Sequence, residues 1–112
     1  MEINERTESQ VLILEIVGEV MGGPETEKFR KLIDKAIEDD HINVVADLAK
    51  VPWMNSSGLG MLISALTSLR GSNGDLRLAN VSERLRRPLK ITKLDTVFQQ
   101  FDSVSSAVES FK

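Results

Sequence analysis

The longest apolar stretch runs from Val11 to Val17 (VLILEIV), where branched side chains follow one another with only Glu15 intervening, and it stops at Gly18. Near-continuous branched residues over this length are the pattern of a strand covered on both faces. The polar segment before it, Glu2 to Glu8, has a matching length, and Glu8-Ser9-Gln10 can turn the chain, which predicts an edge strand paired antiparallel to the first. Gly22-Gly23-Pro24 then breaks the chain. Phe29, Leu32, Ile33, Ala36 and Ile37 recur at three-and-four spacing, one face of a helix with Pro24 in its first turn and its end near Glu38-Asp39-Asp40. Ile42 to Leu48 (INVVADL) resumes as a second buried strand. Strand, helix and strand in this order predict a parallel pair joined by a right-handed crossover.

After a loop from Ala49 to Asn55, the residues Leu59, Leu62, Ile63, Leu66 and Leu69 mark a second amphipathic helix, closed by Gly71 and a turn at Ser72-Asn73-Gly74. Leu76 and Leu78 alternate with Asp75 and Arg77 in the next strand. Ser82 to Arg87 reads as a short helix with Ser82 as N-cap, and Pro88 is expected to limit it unless the helix kinks there. A short strand fits between Val97 and Phe101. Val104, Ala107, Val108 and Phe111 share one face of a terminal helix that begins after Asp102 or Ser103 and can dock on the sheet. The alternation predicts a single α/β domain over residues 1–112, a mixed sheet of four to five strands packed with about four helices.

Composition narrows the function classes. The length of 112 residues suits one core, and 41% hydrophobic with 28% charged residues is the balance of an ordinary globular domain. Seventeen acidic against fourteen basic residues leave a net charge of -3, which disfavours a general nucleic-acid or anionic-membrane binder. The absence of cysteine removes disulfides, thiolate metal sites and thiol nucleophiles, and fits a reducing compartment, with the cytoplasm as the expected location. Met1 to Gln10 lacks the apolar stretch of a signal peptide, and no later run approaches the ~20 apolar residues of a membrane span.

The candidate chemistry gathers between Asp47 and Met61 (DLAKVPWMNSSGLGM), where a buried strand gives way to a cluster of small polar residues at a helix start. Unpaired N–H groups and the helix dipole favour Asn55 or Ser56 as N-cap and would tolerate an anion. Taken alone, this is compatible with plain capping. Gly58 and Gly60, however, each cost about 1 kcal/mol relative to alanine in a helix, which points to close backbone approach by a neighbour or a partner. Met61 and Ala65 fall opposite the leucine face and would suit a partner surface.

With these residues in view, the sequence resembles the STAS domains of the anti-sigma factor antagonist family. The signature of that family reads here as Asp47-Leu48 followed by Met54-Asn55-Ser56-Ser57-Gly58-Leu59-Gly60. Gly18-Glu19 matches the end of the second strand, and Ser82-Glu83-Arg84-Leu85, Ile91-Thr92, Leu94-Asp95 and Phe98 resemble the C-terminal half. The resemblance implies a partner-switching regulator that binds an anti-sigma factor serine kinase and releases a sigma factor. Phosphorylation of the acceptor serine would abolish that binding, and a PP2C-type phosphatase would restore it. Carried over, the acceptor is Ser56, and the partner-binding surface comprises Met21, Gly22, Gly23, Asn55, Ser56, Ser57, Gly58 and Met61. No cofactor, no metal and no catalytic residue is implied, and a monomer or weak dimer is expected. This chain departs from the family twice: Asn55 stands where the family has Asp before the acceptor, and Met21 replaces the Asp two residues after Gly-Glu. A non-phosphorylated STAS scaffold, or a binding subunit of a transport system, is the alternative.

The remaining candidates have plainer readings. His41, the single histidine, follows Glu38-Asp39-Asp40 and fits a solvated turn better than a metal site. Ser56, His41 and Asp47 could compose a hydrolase triad, but no G-x-S-x-G elbow surrounds the serine. Gly22-Gly23-Pro24 lacks the phosphate-loop spacings. Arg84, Arg86, Arg87 and Lys90 form a basic cluster that could meet an acidic partner or nucleic acid but reads more simply as a solvated face, and Trp53 could anchor an interface but is expected to pack beside the sheet.

Overall fold

The computed structural model describes all 112 residues. The branched run forms β2 (Val11–Val17), and β1 (Glu2–Glu8) pairs with it antiparallel, from Glu2 opposite Val17 to Glu8 opposite Val11. Ser9 and Gln10 join them with φ of 50° and 67°. Positive φ at both central residues is the type I′ geometry, whose twist matches that of the flanking strands.

Helix α1 (Pro24–Glu38) buries Phe29, Ile33 and Ala36 of the expected stripe, while Leu32 and Ile37 are half-buried at its edges. Strand β3 (Asn43–Lys50) lies parallel to β2 and outruns the expected end at Leu48, because the Gly18 N–H donates to the Lys50 carbonyl at 3.0 Å. Helix α2 (Ser56–Gly71) follows, then β4 (Asp75–Ala79), parallel to β3. Strand β5 (Gln100–Phe101) is only two residues long and pairs parallel with β4, closing a sheet ordered β1-β2-β3-β4-β5. Only β1 runs against the others, so the sheet is mixed.

Alternation along the strands separates two apolar layers. Leu12, Leu14 and Ile16, Val44, Ala46 and Leu48, and Leu76 and Leu78 join the buried residues of α1, α2 and α3 in the main core. Val11, Ile13, Val45 and Ala79 meet Ala107 and Val108 of α4 (Val104–Glu109) on the opposite face. Of the two residues the sequence allows as cap, Ser103 takes the role at α4, accepting from the Ser106 N–H at 3.1 Å.

Two expectations about helices are corrected. Helix α3 (Glu83–Ile91) passes through Pro88 instead of stopping before it. The proline deletes a hydrogen bond and costs about 3 kcal/mol. Leu85 and Leu89, one on each side, are 1% and 2% exposed. Their burial returns about 1.5–3 kcal/mol apiece, which outweighs the break. Ser82 sits at the N-cap position but makes no side-chain cap bond. The second correction concerns Met61 and Ala65. They do not face outward: they are 4% and 5% exposed and line the seam between α1 and α2 beside Phe29 and Ile33. Helix α1, nearly as long as α2, lies directly against it and closes over the face that the leucines leave free.

Candidate functional site

The C-terminal ends of β2 and β3 lead into two loops that are tied to each other. The Val20 N–H donates to the Trp53 carbonyl at 3.0 Å, the Asn55 N–H donates to the Val20 carbonyl at 3.2 Å, and Val20 and Met54 form an isolated parallel bridge. Gly58 sits directly over this junction, where a Cβ would overlap the Val20 carbonyl oxygen. The close approach expected of Gly58 is therefore to its own chain. Gly60 has nothing near the position of a Cβ, so its glycine answers no contact within the molecule.

Asn55 is the N-cap of α2: its Oδ1 accepts from the Gly58 N–H at 2.8 Å. Of the two residues the sequence left open as cap, Asn55 takes the role, which frees Ser56 as the first helical residue. Asn55→Ala is expected to lower stability by about 1 kcal/mol, measured as the urea midpoint, since one helix-start donor loses its acceptor.

The residues grouped by the sequence reading do not all share one surface. Ser56 and Ser57 are exposed, as are Met21 and Gly23, whereas Gly22, Gly58 and Met61 are buried. Gly22 adopts φ +79°, and a Cβ on it would lie 2.6 Å from Ser57 Cβ, so the Met21–Gly23 loop touches α2 on the Ser57 side. Met61, one helical turn below, is withdrawn from the candidate surface by α1. Ser56 opens the other way, into a groove of about 790 Å³ shared with Trp53, Asn55, Arg84, Arg87, Pro88 and Ile91. Trp53 is 41% exposed there, correcting the expectation that it packs beside the sheet.

The α3 arginines, one basic cluster in the sequence, are divided by the structure between two sides of the helix. Arg84, Arg87, Pro88 and Ile91 lie at i, i+3, i+4 and i+7, one stripe of a helix, which is a signal present in the spacing. Arg86 points elsewhere and pairs with Glu83 at 3.5 Å and Asp102 at 3.6 Å.

Asp47 is buried at 7% exposure, the one charged residue so enclosed. Its Oδ1 accepts from the Ala49 N–H at 3.1 Å and from Asn80 Nδ2 at 2.9 Å, tying the end of β3 to the turn after β4. It thus braces the strand that delivers the Ser56 loop. His41 is exposed before the start of β3, while Ser56 lies beyond its end. Eight strand residues separate the two by on the order of 25 Å, so no triad forms.

The STAS domain profile matches residues 2–107. The chain belongs to the STAS domain family. The anti-sigma-B factor antagonist of Listeria monocytogenes is 30% identical over 99 residues, covering 88% of this chain and 85% of that one. The crystal structure of a Thermotoga maritima chain assigned as an anti-sigma factor antagonist superposes with a TM-score of 0.88 at 25% identity, covering 96% of this chain and 92% of that one. The Bacillus cell fate determinant SpoIIAA in its phosphorylated form superposes with a TM-score of 0.77 at 18% identity, over 99% of this STAS chain and 100% of SpoIIAA, and shares the fold. No helix of the STAS chain is long and apolar enough to cross a membrane.

Proposed function

We propose that this STAS chain is an anti-sigma factor antagonist whose docking surface is centred on Ser56, with a serine-kinase anti-sigma factor as partner and a PP2C-type phosphatase resetting the switch. The observation that carries the reading is the exposure of Ser56 at the first position of α2, immediately after its cap, in a family whose relatives include anti-sigma-B factor antagonists. A phosphoserine adds roughly -1.5 to -2 charge and three acceptor oxygens. At a helix start the dipole and the open N–H groups accommodate that charge, so the fold survives while a docked protein is displaced.

Incubation with the cognate kinase and ATP is expected to add one phosphate at Ser56, read by peptide mass spectrometry, and none to Ser56→Ala. Ser56→Asp is expected to keep its circular dichroism spectrum and weaken anti-sigma factor binding by about tenfold or more in calorimetric titration. Equal modification of the same peptide in Ser56→Ala, or unchanged affinity of Ser56→Asp, overturns the reading.

Asn55 and Met21, standing at two acidic positions of the family, favour a second reading, an unphosphorylated scaffold or transport-associated subunit. Light scattering after size exclusion separates the two, because the switch protein elutes as a monomer or weak dimer and a scaffold as a large assembly.

A further inference from the structure

The groove beside Ser56 has chemistry that capping and phosphorylation leave unused. Its floor and walls are apolar, with Met54 and Leu59 buried beneath Trp53, Pro88 and Ile91. Ile91 is 73% exposed and Trp53 41%, two large apolar groups facing solvent across one groove. Large exposed apolar groups side by side mark a contact surface more often than scattered ones do. Arg84 and Arg87 border the same groove one helical turn apart, and neither forms an ion pair within 4.0 Å, whereas the neighbouring Arg86 has two acidic partners. The only carboxylate on the rim, Glu83, is the one engaged with Arg86.

We infer that this groove receives an acidic protein segment with apolar anchors, whose aliphatic or aromatic side chains seat against Trp53, Pro88 and Ile91 while its carboxylates pair with Arg84 and Arg87. Charge complementarity selects this occupant. Two guanidinium groups without partners present a paired-donor edge to carboxylates. The chain as a whole carries a net charge of -3, which opposes approach of a polyanionic backbone or an anionic lipid surface outside this one face. The inference rests on the proposed function in one respect: if Ser56 is phosphorylated, the new charge arises within the groove, where it repels the acidic segment and competes for the same two arginines.

Two measurements test the groove, one of them independent of the sigma-factor reading. In the first, an isotope-labelled sample is titrated with a capped amphipathic peptide of glutamate and leucine and followed by nuclear magnetic resonance. Shifts are expected to concentrate at Trp53, Ser56, Arg84, Arg87 and Ile91, and to vanish in Arg84→Glu/Arg87→Glu. Shifts spread evenly over the surface, none at all, or the same residues responding instead to anionic vesicles or a single-stranded polyuridine probe overturn the inference. In the second, the cognate anti-sigma factor is titrated with Arg84→Glu/Arg87→Glu and separately with Trp53→Ala, each checked by thermal melting. Each is expected to weaken binding by about tenfold at about 0.15 M salt, with the double variant also losing salt dependence. Wild-type affinity in both variants overturns the groove assignment while leaving the Ser56 switch intact; loss of the Ser56→Asp effect with the groove variants still weakened does the reverse.

Discussion

Gly58→Val is expected to lower the unfolding free energy by about 3 kcal/mol, the upper part of the range for forcing bulk into a packed site. The side chain would have to occupy space held by the Val20 carbonyl and the Val20 side chain. That carbonyl cannot swing aside cheaply, because it accepts from the Asn55 N–H at the start of α2. Either the helix start lifts or the loop carrying Met21–Gly23 moves, and in both cases the bridge between Val20 and Met54 is lost. At about 4 °C per kcal/mol for a domain of this size, the melting midpoint falls by about 12 °C. Gly60→Ala supplies the contrast two residues along the same helix. With open space around its Cβ position, it should raise stability by about 0.5–1 kcal/mol through helix propensity alone. A melting temperature of Gly58→Val within a degree or two of wild type would show that the loop junction yields, and would remove the reason given for this glycine.

Phe29→Ala carries the larger penalty, about 4 kcal/mol. Phe29 is 1% exposed and is the sole aromatic side chain of α1, set in the seam against Met61 and Ala65 of α2. Ala65 cannot fill the volume it leaves, and Met61 and Ile33, anchored on their own helices, fill it only in part, so a cavity persists between the helices. Set against a typical total stability of about 5–15 kcal/mol, that loss brings the domain near the limit of folding at physiological temperature. Urea unfolding monitored by circular dichroism reads it directly. Trp53→Ala, though it removes a larger ring, should change stability by about 0.5 kcal/mol or less, because that ring lies in the open groove. A ranking in which Trp53→Ala is the more damaging of the two would mean that the tryptophan is part of the core after all.

Most of the architecture was legible in the residues because periodicity is a local property. The apolar run at Val11 to Val17, the three-and-four spacing from Phe29 to Ala36 and the leucines of α2 each prescribe an element without reference to the rest of the chain. The site was legible in part for the same reason. Asn55 and the serines after it belong to a helix start, and the STAS signature from Asp47 to Gly60 places them there. Orientation was harder to read. Met61 and Ala65 look like an outer face when only the leucines are counted, since two amphipathic stripes on one helix cannot be ranked until the position of α1 is known. Trp53 likewise turns outward because Met54, its neighbour in the loop, takes the buried place against Val20.

By itself, then, the sequence determined the order of strands and helices, the covering of the sheet on both faces and the capped start of α2, each written in spacing, capping and turn chemistry within a few neighbouring residues; membership in the STAS family came from the likeness of its motifs to a known signature, not from that local chemistry. Tertiary structure alone decided that α3 runs past Pro88, that Gly58 serves the Val20 carbonyl, and that Ser56 opens toward Arg84, Arg87 and Ile91 while Ser57 meets Gly22. Those outcomes depend on segments far apart in the chain competing for the same space, and burial energies of several side chains acting together override what any one residue prefers.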